Sequence, residues 1–116
     1  MLLKIEHREV ERRVMVITVA GRIMLGAESA QIESLVSDLL AKGYRHFVFD
    51  LAGVTHIDST GIGRFIASLN RVMQAGGRLR MAAAEGVVRD GFRVTRLDSV
   101  FEFFPSVDTA CAGLGA

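Results

Sequence analysis

The chain has little that would tie it to a metal, a membrane or an oxidised compartment. Its 116 residues include one cysteine, Cys111, and three histidines. A single thiol closes no internal disulfide, and no Cys/His group has metal-ligand spacing. Cys111 reads as a small apolar residue near the C-terminus, in keeping with a reducing compartment. Purely aliphatic runs reach about four residues, far short of the ~20 that span a bilayer. The opening, MLLKIEHREVERR, carries charge throughout and has no apolar signal core. Formal net charge is only +1, which gives no bulk attraction to nucleic acid or a membrane surface. There is no internal repeat, low-complexity tract or interior linker. These absences predict one cytoplasmic domain over residues 1–112, with 113–116, inside the tail AGLGA, fraying.

What is present suits a folded core. Half the residues are hydrophobic and 23% are charged, the balance of a globular protein. Leu3, Ile5 and His7 alternate with Lys4, Glu6 and Arg8, which predicts a strand with one wet face. Val14 to Ala20 is nearly all apolar and rich in β-branched residues, a more buried strand ended by Gly21. The short charged link between the two favours an antiparallel hairpin. In GAESAQIESLVSDLLAKG, Ile32, Leu35, Val36, Leu39 and Leu40 fall on one helical face, and Gly43 is the stop. RHFVFDL predicts a third strand, with AGVTH as the link from it to the next helix start. Ile62, Phe65, Ile66, Leu69, Val72 and Met73 keep helical spacing up to Gly76-Gly77. RLRMAAA is a fourth strand, a short helix from about Gly86 buries Val88 and Phe92, and Val100, Phe101 and Phe103 form a last strand stopped by Pro105. SVDTACAGL supplies a final amphipathic turn or two. The order ββαβαβαβα predicts an α/β fold: a mixed four- to five-stranded sheet packed with about four helices.

Between the third strand and the second long helix stands IDSTGIG, residues 57–63. Asp58, Ser59 and Thr60 are all types that cap helix starts, but one cap needs only one of them. A phosphate loop would need GxxxxGK[ST], which is absent, and Asp58 would repel the phosphate. His56, Asp58 and Ser59 are triad residue types. On one short loop they diverge, GxSxG is missing, and His7 and His46 read as ordinary half-exposed residues of strands. No catalytic residue is therefore assigned. A covalent switch is a fourth reading, beside the plain cap and a small hydrolase using Ser59. A serine at an exposed helix start is reachable by a kinase, and nearby glycines leave room for another backbone. Phosphate adds about −1.5 to −2 charges, which a helix N-terminus tolerates but a docked partner would not.

The stretch DLAGVTHIDSTGIG, with VMVITVAGRI before it and MQAGGRLRM and TRLDSVFEFFPSVDTA after it, resembles the STAS domain family, of the bacterial anti-sigma factor antagonist type. The resemblance runs over nearly the whole chain. It implies a regulator of transcription that works by partner switching. Such a protein binds an anti-sigma factor, often a serine-protein kinase, and so frees a sigma factor. The kinase phosphorylates the domain to end binding, and a phosphatase restores it. Carried over by position, the phosphorylated residue is Ser59, with Thr60 the alternative acceptor and Asp58 the acid beside it. Gly61 and Gly63 would shape the turn, and Arg64 and the loop after Gly21 would meet the partner. No enzyme activity, cofactor, metal, nucleic acid or direct membrane insertion is implied.

One departure stands out. Many relatives carry an acidic GELD-like stretch after the second strand, whereas this chain reads GRIMLGAES. Arg22 replaces an acid, and Met24 and Leu25 replace polar residues. Either the partner surface differs, or Met24 and Leu25 form a hydrophobic staple for the following helix. The apolar loop keeps a second reading open, a STAS adaptor subunit of a sensory assembly or of a lipid or anion transport system. Charge is also uneven. Arg64 to Arg96 holds seven arginines against two acids, while Gly26 to Asp58 holds five acids against two bases. Basic and acidic sides, or scattered solvated charges, both fit this, and no aromatic residues interleave with the arginines to stack bases.

Overall fold

The computed structural model describes residues 3–24 and 27–115. β1 (Lys4–Val10) and β2 (Val14–Ile23) form the expected antiparallel hairpin. Its turn, Glu11–Arg13, puts Arg12 and Arg13 at φ 62° and 59°, a conformation unusual for side-chain-bearing residues. The chain then alternates α1 (Ala30–Ala41), β3 (His46–Ile57), α2 (Ser59–Gln74), β4 (Arg78–Ala82), α3 (Gly86–Val94), β5 (Glu102–Phe104) and α4 (Val107–Cys111). The strands lie in sequence order, and β2 through β5 are parallel. The architecture is a single α/β domain, with one five-stranded mixed sheet and four α-helices.

The alternation within each strand explains the layers. On β2, Met15, Ile17 and Val19 join the core shared with α1, α2 and α3, whereas Val14 and Val16 face α4. Both faces are covered there, so the run is apolar without a break. The larger core takes Ile32, Val36 and Leu39 from α1, Ile62, Phe65, Leu69 and Val72 from α2, and Val88 and Phe92 from α3. Its rings meet edge to face, Phe49 on Phe65 at 4.9 Å and Phe92 on Phe101 at 5.4 Å between centroids.

Several expectations are corrected. AGVTH is strand, because β3 continues to Ile57, and β2 passes Gly21 to reach Ile23 alongside it. Ladder bonding between the two outweighs a glycine-containing, polar sequence. Met73 and Val100 are exposed, the first on the outer side of α2 and the second before β5 begins. In the described part of the tail, Leu114 is buried against Val14 and Val16, and Gly115 packs on Arg12. Five of the seven arginines between 64 and 96 have partners within the fold. Arg64 bonds Glu33, Arg78 bonds Glu102, Arg93 bonds Asp90, and Arg89 lies 3.9 Å over the Phe103 ring. Arg80 is itself buried and donates to the carbonyls of Ala110 and Ala112, which fixes the end of α4 to the sheet.

Candidate functional site

The site is built where the sheet narrows. β4 pairs with β3 only as far as Asp50, but β2 stays with β3 to Ile57. The ends of β2 and β3 therefore project as a two-stranded ribbon. Two register shifts, between Thr18 and Ala20 and between Gly21 and Arg22, each give β3 one extra residue. Such bulges bend a strand and re-aim its side chains. Gly53 permits the first: a Cβ there would lie 2.8 Å from that of Ala20. Thr55 Oγ1 donates to the carbonyl of Gly21, and His56 Nδ1 sits 2.9 Å from the same hydroxyl. The Asp58 N–H donates to the Ile23 carbonyl, so the ribbon holds the point where α2 begins.

Asp58 is the cap. Its backbone is extended and its Oδ1 accepts the Gly61 N–H at 2.9 Å, satisfying one of the free donors of a helix start. With the cap assigned to Asp58, Ser59 is the first residue of α2 and is exposed, while Thr60 is half-buried. The two glycines do not shape a turn as expected, since both lie inside α2 and neither has positive φ. Gly61 is buried, and a Cβ on it would lie 2.4 Å from the Ile23 carbonyl oxygen. It lets the helix start press against the end of β2. Gly63 is exposed, with nothing within 4 Å of where its Cβ would be.

The remaining site residues separate. Arg22 is exposed and aligned with His56, and Met24, next to the Ile23 anchor, is also exposed. Leu25, and with it the staple, lies outside the described residues. Arg64 is less available than the sequence suggested. Its Nε donates to Ser29, which is buried, and its other nitrogen to Glu33 at 3.1 Å, tying α2 to α1. Nothing in the sequence signals this contact across 31 positions. The triad types do not assemble. Asp58 is engaged by Gly61 and His56 by Thr55. His46 opens β3 and Ser59 lies just beyond its other end, so the whole length of the strand stands between them. Among the described residues no group of three His, Cys, Asp or Glu could hold a metal ion, and no helix is long and apolar enough to cross a membrane.

Away from this end, two groups titrate unusually. Burial pushes the Cys111 thiol up, and a hydrogen bond to Glu9 raises Tyr44. Both lie at the opposite end of the sheet, around the β1–β2 turn.

These features define a small α/β domain that presents one free serine at a capped helix start. The chain belongs to the STAS domain family, whose pattern matches residues 6–110. No curated protein sequence gives a significant match. A proposed anti-sigma factor antagonist of Thermotoga maritima has a similar structure, with TM-score 0.84 at 21% identity over 97% of this chain and 95% of that one. The Bacillus cell fate determinant SpoIIAA in its phosphorylated form is also similar, with TM-score 0.72 at 17% identity over 91% and 96%. A sulfate transporter family protein of Wolinella succinogenes gives 0.76 at 15% identity over 90% and 86%. At such identities the likeness establishes the fold.

Proposed function

We infer that the protein is an anti-sigma factor antagonist. It binds an anti-sigma factor of the serine-protein kinase type, frees a sigma factor, and is switched off by phosphorylation at Ser59. The observation that carries this reading is the division of labour at the start of α2. Asp58 alone makes the cap, which leaves the Ser59 hydroxyl exposed and without a described role in the fold. Thr60, half-buried, is the alternative acceptor. The partner surface comprises Asp58, Ser59, Thr60, Gly63, Arg22 and Met24, with Leu25 beyond the described residues; Gly61 and Arg64 support it from within. The protein acts by binding in the cytoplasm, without a reaction or cofactor of its own, and a phosphatase resets it.

The switch follows from electrostatics. A phosphate on Ser59 sits at the positive end of α2, where the fold accepts it. A partner docked over the same point meets the added negative charge, and a tenfold loss of affinity needs only about 1.4 kcal/mol. The experiment is a paired capture from host lysate with Ser59→Ala and Ser59→Asp as baits. A kinase-like anti-sigma factor retained by Ala and lost with Asp supports the switch; equal retention by both overturns it. A second reading is supported by the exposed Met24 and by the transporter family neighbour. In it the domain is an adaptor of a sensory assembly or a lipid or anion transport system, and both baits would bring down the same permease or scaffold.

A further inference from the structure

The sheet has two edges, and they are treated differently. β5 is three residues long, too short to template another strand. β1 runs for seven residues without proline or glycine, and its pairing to β2 has no bulge from Lys4 to Val10. Among the described residues no strand lies beside its outer backbone groups. Long, regular edges of this kind invite a further strand unless charge forbids it. β1 does carry charge, so the question is which strand those charges accept.

We propose that the outer edge of β1 pairs antiparallel with β1 of a second copy of this chain, about a two-fold axis at His7. The sequence KIEHREV selects both partner and register. Under a two-fold axis perpendicular to the sheet, facing residues must lie on the same face, so the axis passes through a residue. Centred on Glu6, the strand sets Glu6 against Glu6 and Lys4 against Arg8, opposing like charges twice over. Centred on Arg8, it opposes arginine to arginine, and centred on Ile5 it sets Lys4 against Glu6 but leaves the second half of the strand unpaired, whereas His7 is the midpoint of Lys4–Val10 and pairs all of it. Centred on His7, it places Glu6 across from Arg8, and by symmetry Arg8 across from Glu6. Lys4 then faces Val10 and Ile5 faces Glu9. Opposite charges directly across strands stabilise a pair and like charges destabilise it.

The surroundings leave the edge open. Glu6, His7 and Arg8 are exposed, and Glu6 holds Lys4 at 3.1 Å, which keeps its carboxylate on the face where Arg8 of the second copy arrives. A shallow groove lined by Ile5, His7, Gln31, Ser34, Leu35 and Asp38 runs between the strand and α1. Ile5 and Leu35 are half-buried there against the core and are covered further when a second edge closes the groove. The interface is isologous, and one ten-stranded sheet results. The two Ser59 loops then lie at opposite ends of that sheet, so pairing leaves both open to their partners.

The test is sedimentation equilibrium on the full chain, with charge exchanges read against circular dichroism to confirm folding. Wild type is expected to be dimeric, and Glu6→Arg or Arg8→Glu alone to raise the dimer dissociation constant by about tenfold or more. The double variant E6R/R8E restores opposite charges and is expected to recover the dimer. Mixing the two single variants is expected to give a heterodimer, because one copy then carries two arginines and the other two glutamates. A wild type monomeric at 1 mM (roughly the weakest range of specific association) overturns the proposal. So does a dimer indifferent to both single changes, or one the double variant fails to rescue.

Discussion

The first turn of α2 has two sides, and the glycines two residues apart belong to different ones. On the inner side, Gly61 is pressed against the Ile23 carbonyl, Asp58 closes the cap, and Phe65 enters the core edge-on to Phe49. On the outer side, Gly63 and Ser59 are exposed, and among the described residues no side chain crosses the space beside Gly63. The inner side fixes where the loop stands. The outer side is left for something that is not part of the fold. Residue type therefore does not reveal role: one glycine is there because no side chain fits, and the other where any small one would.

Changes to the inner side are expected to destabilise the protein, and changes to the outer side to alter binding without destabilising it. The largest effect is Phe65→Ala, which empties a fully buried ring site and costs about 3–5 kcal/mol in denaturant unfolding. Gly61→Ala comes next. Its methyl meets backbone oxygen rather than a yielding side chain, so a loss of about 1–3 kcal/mol is expected, with the β2 end displaced. Asp58→Ala removes the cap and lowers stability by about 1 kcal/mol, readable as a shift of the thermal midpoint. Gly63→Ala should act in the other direction. It has room, and exchanging glycine for alanine inside a helix gains up to about 1 kcal/mol. If partner affinity falls while stability rises, the outer side is the docking surface; an unchanged affinity removes Gly63 from it. A destabilised Gly63→Ala would break the comparison itself.

The same contrast shows what could be read beforehand. Helical spacing identified Phe65, Leu69 and Val72 as buried, since a core-facing residue must recur every three or four positions. It also included Met73, which the rotation of α2 leaves exposed. The cap was legible as a choice among Asp58, Ser59 and Thr60, but not as Asp58 in particular. That depends on the extended backbone at residue 58, held by the bond from its N–H to Ile23. AGVTH read as a link because glycine and polar residues favour turns; its strand character comes from β2 lying beside it. The arginines from 64 to 96 read as a charge excess, and only folding showed five of the seven engaged by Glu33, Glu102, Asp90, the Phe103 ring and the carbonyls before and after Cys111.

Sequence by itself determined the order of the elements, the apolar faces that meet in the core, and the place of IDSTGIG at a helix start. Each of these comes from local periodicity and from the few residue types that cap or stop a helix. Tertiary structure decided which hydroxyl is free, which glycine is obligatory and which arginines are already bonded. Those outcomes depend on distances between segments 35 or more residues apart, such as Ile23 to Gly61 and Ser29 to Arg64. No local pattern encodes such distances, because they exist only once the sheet has set two distant stretches of chain side by side.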